Sequence, residues 1–160
     1  MRYTNVPIFD FMKKVLVLIL VSLVFTACKD KDDDPSSAKT SAELISLNQW
    51  KLSRFTDVSG QTISNSNLET EALFLFAMNF EFRNDGEVRG VDKTSGNIIE
   101  KGVWVFLEGE DAVNVKLAAL DYDFKIVVLQ TGKLTLQAPT GNFLSGVGDE
   151  INLEFNAVSL

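Results

Sequence analysis

The chain has 160 residues, 46% of them apolar, with a formal net charge of −7, one cysteine and no histidine. An acidic surface repels nucleic acid, whose binding rests on lysine and arginine neutralising phosphates, and it disfavours adsorption to anionic membranes. Without histidine there is no Ser-His-Asp or Cys-His catalysis and no histidine zinc site, and a lone cysteine forms no internal disulfide.

The first element is an apolar run, Val15 to Ala27, preceded by Lys13 and Lys14 and ending in the small residues Thr26 and Ala27. Its 13 residues make about 20 Å of helix, short of the roughly 30 Å of a hydrocarbon core. The layout is that of a secretory signal covering residues 1–27. Met1 to Phe11 read poorly as a charged leader, so Met12 is the better start. Phe25-Thr26-Ala27-Cys28 resembles a bacterial lipoprotein lipobox, with Phe25 where leucine is usual. The resemblance implies cleavage before Cys28, acylation of that cysteine, and an outer-membrane lipoprotein. Cleavage would leave 133 residues and, with Arg2, Lys13, Lys14 and Asp10 gone, a charge of −9.

Residues 28–40 are polar and acidic and hold Pro35. Such a stretch buries nothing and reads as a disordered tether. Lys29-Asp30-Lys31-Asp32-Asp33-Asp34 also resembles the surface-export signal of lipoproteins in one Gram-negative group. A solvated spacer is the plainer reading of the same charges.

The domain is expected over residues 41–160. Thr40-Ser41-Ala42-Glu43 has capping-box spacing and predicts one short N-terminal helix. From Trp50 the pattern alternates, with an irregularity near Arg54. Ser64 to Thr70 reads as a loop or a short helix capped by Asn65 or Asn67. Phe74, Phe76, Met78, Phe80 and Phe82 at spacing two predict a long strand with these residues on one face. Asn84-Asp85-Gly86 is a hairpin turn, because Asp-Gly supplies positive φ cheaply. Further strands are predicted at Glu87–Asp92, Ile98–Leu107, Val113–Leu117, Phe124–Gln130 (apolar throughout its centre), Leu134–Ala138 and Ile151–Ala157. A loop with three glycines, Thr140 to Asp149, reads as a lid or rim. Eight short strands joined by close turns make an all-β, antiparallel up-and-down barrel. For an interaction module with a filled barrel and no ligand, Glu87–Asp92 and the final strand would be the edges for a partner to pair with.

Four motifs carry a family resemblance over residues 44–156. Leu47-Asn48-Gln49-Trp50-Lys51-Leu52, Phe80-Glu81-Phe82-Arg83-Asn84-Asp85-Gly86, Gly102-Val103-Trp104 and Leu134-Thr135-Leu136 resemble, in order, the packing motifs of lipocalin-like domains in small secreted bacterial lipoproteins. Asn48 stands where glycine is common. The resemblance implies a small calyx or half-closed barrel and carries over no catalytic residue.

The candidate residues follow from this pattern. Cys28 is the lipidation site. Trp50, Phe74, Phe76, Phe80, Phe82, Trp104, Phe106, Phe124 and Phe155 are either the lining of a pocket for a small apolar or amphipathic ligand or simply core. The acids Glu108, Glu110, Asp111, Asp121, Asp123, Asp149 and Glu150 fall in turns, where acids are expected in any case. No cofactor, metal site or catalytic residue is expected. The partners expected are the membrane, through the anchor, and either a small ligand or a cell-envelope protein served by a filled barrel.

Overall fold

The computed structural model of the chain describes residues 39–117, 120–143 and 148–158. The signal segment, Cys28 and the tether up to residue 38 lie outside these residues, as does part of the 140–149 loop.

The described chain opens on helix α1 (Ser41–Ile45). Its capping box forms as the sequence predicts: Glu43 N–H donates to Thr40 Oγ1 at 3.2 Å and Thr40 N–H to Glu43 Oε2 at 2.8 Å. Eight strands follow: β1 (Gln49–Thr56), β2 (Met78–Phe82), β3 (Glu87–Asp92), β4 (Ile98–Phe106), β5 (Ala112–Leu117), β6 (Leu120–Gln130), β7 (Lys133–Pro139) and β8 (Glu150–Val158). Each pairs antiparallel with its sequence neighbour, and β8 returns to pair with β1, closing an up-and-down barrel in the order β1 to β8. Both suspected edges are therefore occupied: β3 lies between β2 and β4, and β8 between β7 and β1.

The irregularity expected near Arg54 is a break in the β1–β8 register between Leu52 and Arg54. Two more breaks lie at Gly90/Val91 and Ile126/Val128. Such bulges increase local twist and help a sheet curl. The one at Ile126/Val128 corrects the reading of the sixth strand. β6 begins at Leu120 rather than Phe124, and its apolar centre runs half-buried, with Val127 48% exposed.

The long phenylalanine strand is the main correction. Only Met78–Phe82 is β. Thr70–Phe74 is a second helix, α2, and Leu75–Ala77 a turn of 3₁₀ helix. The run satisfies two periods at once. Leu68, Ala72, Leu75 and Met78 recur at helical spacing and are the buried members, whereas Phe74 is 48% exposed. Thr-Glu-Ala-Leu also favours a helix through intrinsic propensity. The preceding 3₁₀ turn, Asn65–Asn67, is capped by Ser64 rather than by either asparagine.

The β2–β3 turn uses positive φ only at Gly86 (+84°), with Arg83 N–H donating to Glu87 O at 2.9 Å. That is a three-residue loop ending in a left-handed glycine, a common hairpin geometry. Gly102 has a different reason to be glycine. A Cβ there would lie 1.8 Å from the Lys116 carbonyl oxygen, so β4 and β5 approach closely only because the side chain is missing. Gly102→Ala should therefore cost about 2–3 kcal/mol by overpacking. Gly132→Ala, with open space around it, should stay within about 0.5 kcal/mol. Urea unfolding midpoints of the two variants test the contrast.

Candidate functional site: the barrel interior and its two ends

Strand alternation sends one side chain in two into the barrel. The inward set is Trp50, Leu52 and Phe55 on β1, Phe80 and Phe82 on β2, Trp104 on β4, and their apolar counterparts on the other strands. Of the nine aromatic candidates, Trp50, Phe80, Phe82, Trp104, Phe124 and Phe155 are buried, between 0% and 7% exposed. Residues lining a ligand-sized void would keep accessible surface toward it. These instead touch one another. Phe80 meets Phe155 edge-to-face with ring centroids 5.5 Å apart, Phe82 meets Trp104 at 5.5 Å, and Trp104 meets Phe106 at 5.2 Å. Such pairs add about 0.5–1.5 kcal/mol each beyond the area they bury. Phe76 and Phe106 are partly buried against this core. Phe74 is the exception. It ends α2, outside the inward set, because its segment is helical.

Each end of the barrel is closed by residues from its connections. At the end where β1 begins, Ile45 of α1 is fully buried and its carbonyl accepts a 2.7 Å hydrogen bond from Trp50 Nε1. Asn48 Nδ2 donates to Thr131 O at 2.7 Å and ties the start of β1 to the β6–β7 turn. At the other end, Ile63, Leu68, Ala72 and Leu75 of the β1–β2 connection join the core. The loop read as a lid or rim contributes Phe143, which is 2% exposed and sits among Phe55, Tyr122 and Phe124 at centroid distances of 6.2, 4.9 and 6.3 Å. Glu69 N–H donates to Phe143 O at 3.1 Å, joining the two connections. The sequence reading missed Phe143, Phe55 and Tyr122. The available signal was a single large aromatic in a glycine-rich loop, which has little reason to be there unless it is buried.

Outside the wall, two depressions flank the β2–β3 turn. One, of about 480 Å³, lies over Glu87, Lys101 and Val103; the other, of about 330 Å³, lies between Ser46 and Arg83. Their charges answer one another. Arg83 Nη1 is 3.1 Å from Glu81 Oε1, Arg89 Nε pairs with Glu87 Oε1, and Lys101 Nζ is 3.9 Å from the same oxygen. The Arg89 hydrogen bond, with the charges of Arg89 and Lys101, holds the Glu87 carboxyl below its ordinary range.

The acids do not converge on a cleft. Glu108, Glu110 and Asp111 lie in or beside the β4–β5 turn. Asp149 and Glu150 lie at the opposite end, where β8 begins. On the wall between, Asp121 pairs with Lys116 at 3.3 Å and Asp123 accepts from Asn114 Nδ2 at 2.7 Å. Other acids hold turns together. Asp57 Oδ1 accepts from Ser59 N–H, Ser59 Oγ and Gln61 N–H, and Asp92 Oδ1 from Thr94 and Ser95 N–H and Ser95 Oγ. Hydrogen bonds to the charged form favour it. The Ser59 hydroxyl leads this effect at Asp57 and the Ser95 amide at Asp92, and both carboxyls sit below their ordinary value. That direction suits a turn-holding carboxylate and opposes a general acid at neutral pH.

No family model matches the sequence, and no curated protein matches it.

The depressed acids give a signed pH dependence. A lowered folded pKa supplies stability that is complete above the unfolded value and lost as pH falls through the folded one. Thermal unfolding midpoints should thus drop as pH falls below 3.8, the ordinary value for Asp57 and Asp92. The Asp57→Asn/Asp92→Asn variant should be less stable than the parent at pH 7 and show a shallower acid loss. An unchanged slope would mean that these turns do not carry it.

Proposed function

We propose that the chain is a lipid-anchored, non-enzymatic lipoprotein of the bacterial outer membrane whose barrel serves as a filled scaffold for its outer surface. The observation that supports the scaffold reading is the burial of the inward aromatics, with Ile45 at one end and Phe143 at the other. An eight-stranded barrel is just wide enough for side chains to fill or to hold one small ligand. On this reading side chains supply the filling. The lipid-anchor reading is supported by the lipobox-like Phe25-Thr26-Ala27-Cys28 and the polar stretch behind it. The lipocalin-like reading is supported by the motif order together with an up-and-down closed barrel. A partner in the cell envelope would then meet the outer wall.

One observation favours a second reading, a container for a small apolar ligand. Phe143 is carried by a loop rather than by the barrel wall, so its displacement would open the interior without breaking a strand pair. Fluorescent apolar probes separate the two. The scaffold reading expects no stoichiometric uptake by the parent protein and new uptake in Phe143→Ala, at a stability cost of about 3–5 kcal/mol. Stoichiometric uptake by the parent, or a small molecule retained in native mass spectrometry of the protein from its own cells, would replace the scaffold with the container.

Anchoring has an independent test. Cys28→Ala should abolish acyl labelling and move the protein from the membrane to the soluble fraction. Unchanged labelling and membrane retention would rule out Cys28 as the attachment point.

A further inference from the structure

Among the described residues, one wall of the barrel carries lysines that no carboxylate answers. Strand register fixes their places. Lys133 of β7 lies opposite Asn156 of β8, Asn156 opposite Lys51 of β1, Lys51 opposite Asn79 of β2, and Asn79 opposite Val91 of β3. Directly opposed residues in an antiparallel ladder project from the same face. Their neighbours Leu134, Phe155, Leu52, Trp50 and Phe80 point into the core, so this row is on the outer face: Lys133, Asn156 and Lys51 are exposed there, and Asn79 and Val91 are covered. Lys93 follows β3 and donates through Nζ to the Phe76 carbonyl. Burial and the nearby Lys51 charge hold Lys93 below its ordinary pKa, with no acid raising it.

Lys125 of β6 likewise has no ion pair among the described residues, but it lies outside this row; the remaining cations of the strands are paired. Arg54, Arg83, Arg89, Lys101 and Lys116 each pair with a carboxylate. The acids of the adjoining rows, Glu154 and Glu81, are taken by Arg54 and Arg83. Lys51, Lys93 and Lys133 are left as ammonium groups along one face. An ammonium group donates well to phosphate diester oxygens, and a juxtamembrane cluster of lysines is attracted to anionic lipid.

We propose that the wall bearing Lys133, Lys51 and Lys93 is the face that the barrel turns toward the anionic headgroups of its own membrane. The proposal rests on the lipid-anchor reading. Ten residues, 29–38, separate Cys28 from Lys39 and reach about 40 Å at most. Tethering on this scale holds the domain near the headgroups at high effective concentration, so a weak contact is enough to select an orientation. The net negative charge of the domain works in the same direction, because an approach through any acid-rich face is repelled. The lysine wall thus sets orientation more than affinity.

The test can be made independent of the acyl chain, because the barrel closes on itself within residues 49–158. The chain from residue 29, with an N-terminal hexahistidine tag, is held by nickel-chelating lipid on vesicles of phosphatidylcholine alone or mixed with phosphatidylglycerol. Amine labelling is then read lysine by lysine by mass spectrometry. Lys51, Lys93 and Lys133 should label several-fold more slowly on the mixed vesicles, with the protection lost in high salt. Lys116, on the diametrically opposed β5, should label equally on both. Lys51→Gln/Lys133→Gln should abolish the protection of Lys93. Uniform labelling, or protection of Lys116 instead, overturns the proposal. Protection by soluble polyphosphate but not by vesicles also overturns it, and assigns the wall to a free polyanion. None of these outcomes depends on whether Cys28 is acylated, which the Cys28→Ala labelling decides separately.

Discussion

The pairing of β1 with β8 is the constraint on which the rest depends. It joins residues about a hundred positions apart and runs the length of both strands, from Gln49–Val158 to Thr56–Asn152. Until that seam forms, two long edges are open and the inward phenylalanines face water. Once it forms, no edge strand remains, which removes the usual route to unwanted strand pairing. The seam is reinforced on its outer face. Arg54 Nε bonds Glu154 at 2.8 Å, Thr56 Oγ1 bonds the other carboxylate oxygen at 3.1 Å, and Asn152 Nδ2 reaches the Asp57 carbonyl at 3.0 Å. A chain with one cysteine has no covalent staple to hold such distant segments, so register and core must do it.

Closure also dictates what fills the inside. The described chain puts aromatic rings where a calyx would leave space, and it closes both ends with residues outside the strands. Trp50 shows how local chemistry serves this. Its indole ring is fully buried, and the cost of burying Nε1–H is met by the Ile45 carbonyl. That carbonyl, near the end of a five-residue helix, would otherwise lack a partner. One hydrogen bond thus fixes the ring, caps the helix and closes the barrel end.

Much of the architecture was legible because strands advertise themselves by alternation. β3 has the predicted boundaries, β8 extends the predicted Ile151–Ala157 by one residue at each end, and the capping box has the predicted partners. Failures came where two periods coincide. Leu73-Phe74-Leu75-Phe76-Ala77-Met78 fits a strand by its phenylalanines and a helix by Leu68, Ala72, Leu75 and Met78, and only the position of the barrel wall decides between them. Phe143 was missed for a related reason. A loop has no period, so the one sign of a plug is a lone large aromatic among glycines. Gly102 was seen only as part of a Gly-x-Trp pattern. Its physical role, the contact distance to the Lys116 carbonyl, exists only once β4 and β5 are brought together.

Net charge was the least transferable clue. Taken as a sum, the acidic balance argues against any anionic surface. Taken residue by residue, the acids nearest the arginines and the turns are already committed: Asp57, Asp85 and Asp92 to turns, Glu81, Glu87 and Glu154 to arginines, Asp121 to Lys116, while others such as Glu108, Glu110 and Asp111 cluster at the far β4–β5 turn. A paired carboxylate repels an approaching anion far less than a free one, because its partner cancels most of the field beyond a Debye length of about 8 Å. What a partner meets is therefore the unpaired remainder, and on the β7–β8–β1 wall that remainder is positive. On the scaffold reading proposed above, the interior serves to hold this wall in shape. The strand register then becomes the functional variable, since a one-residue slip in β1 would turn Lys51 inward and a core residue out.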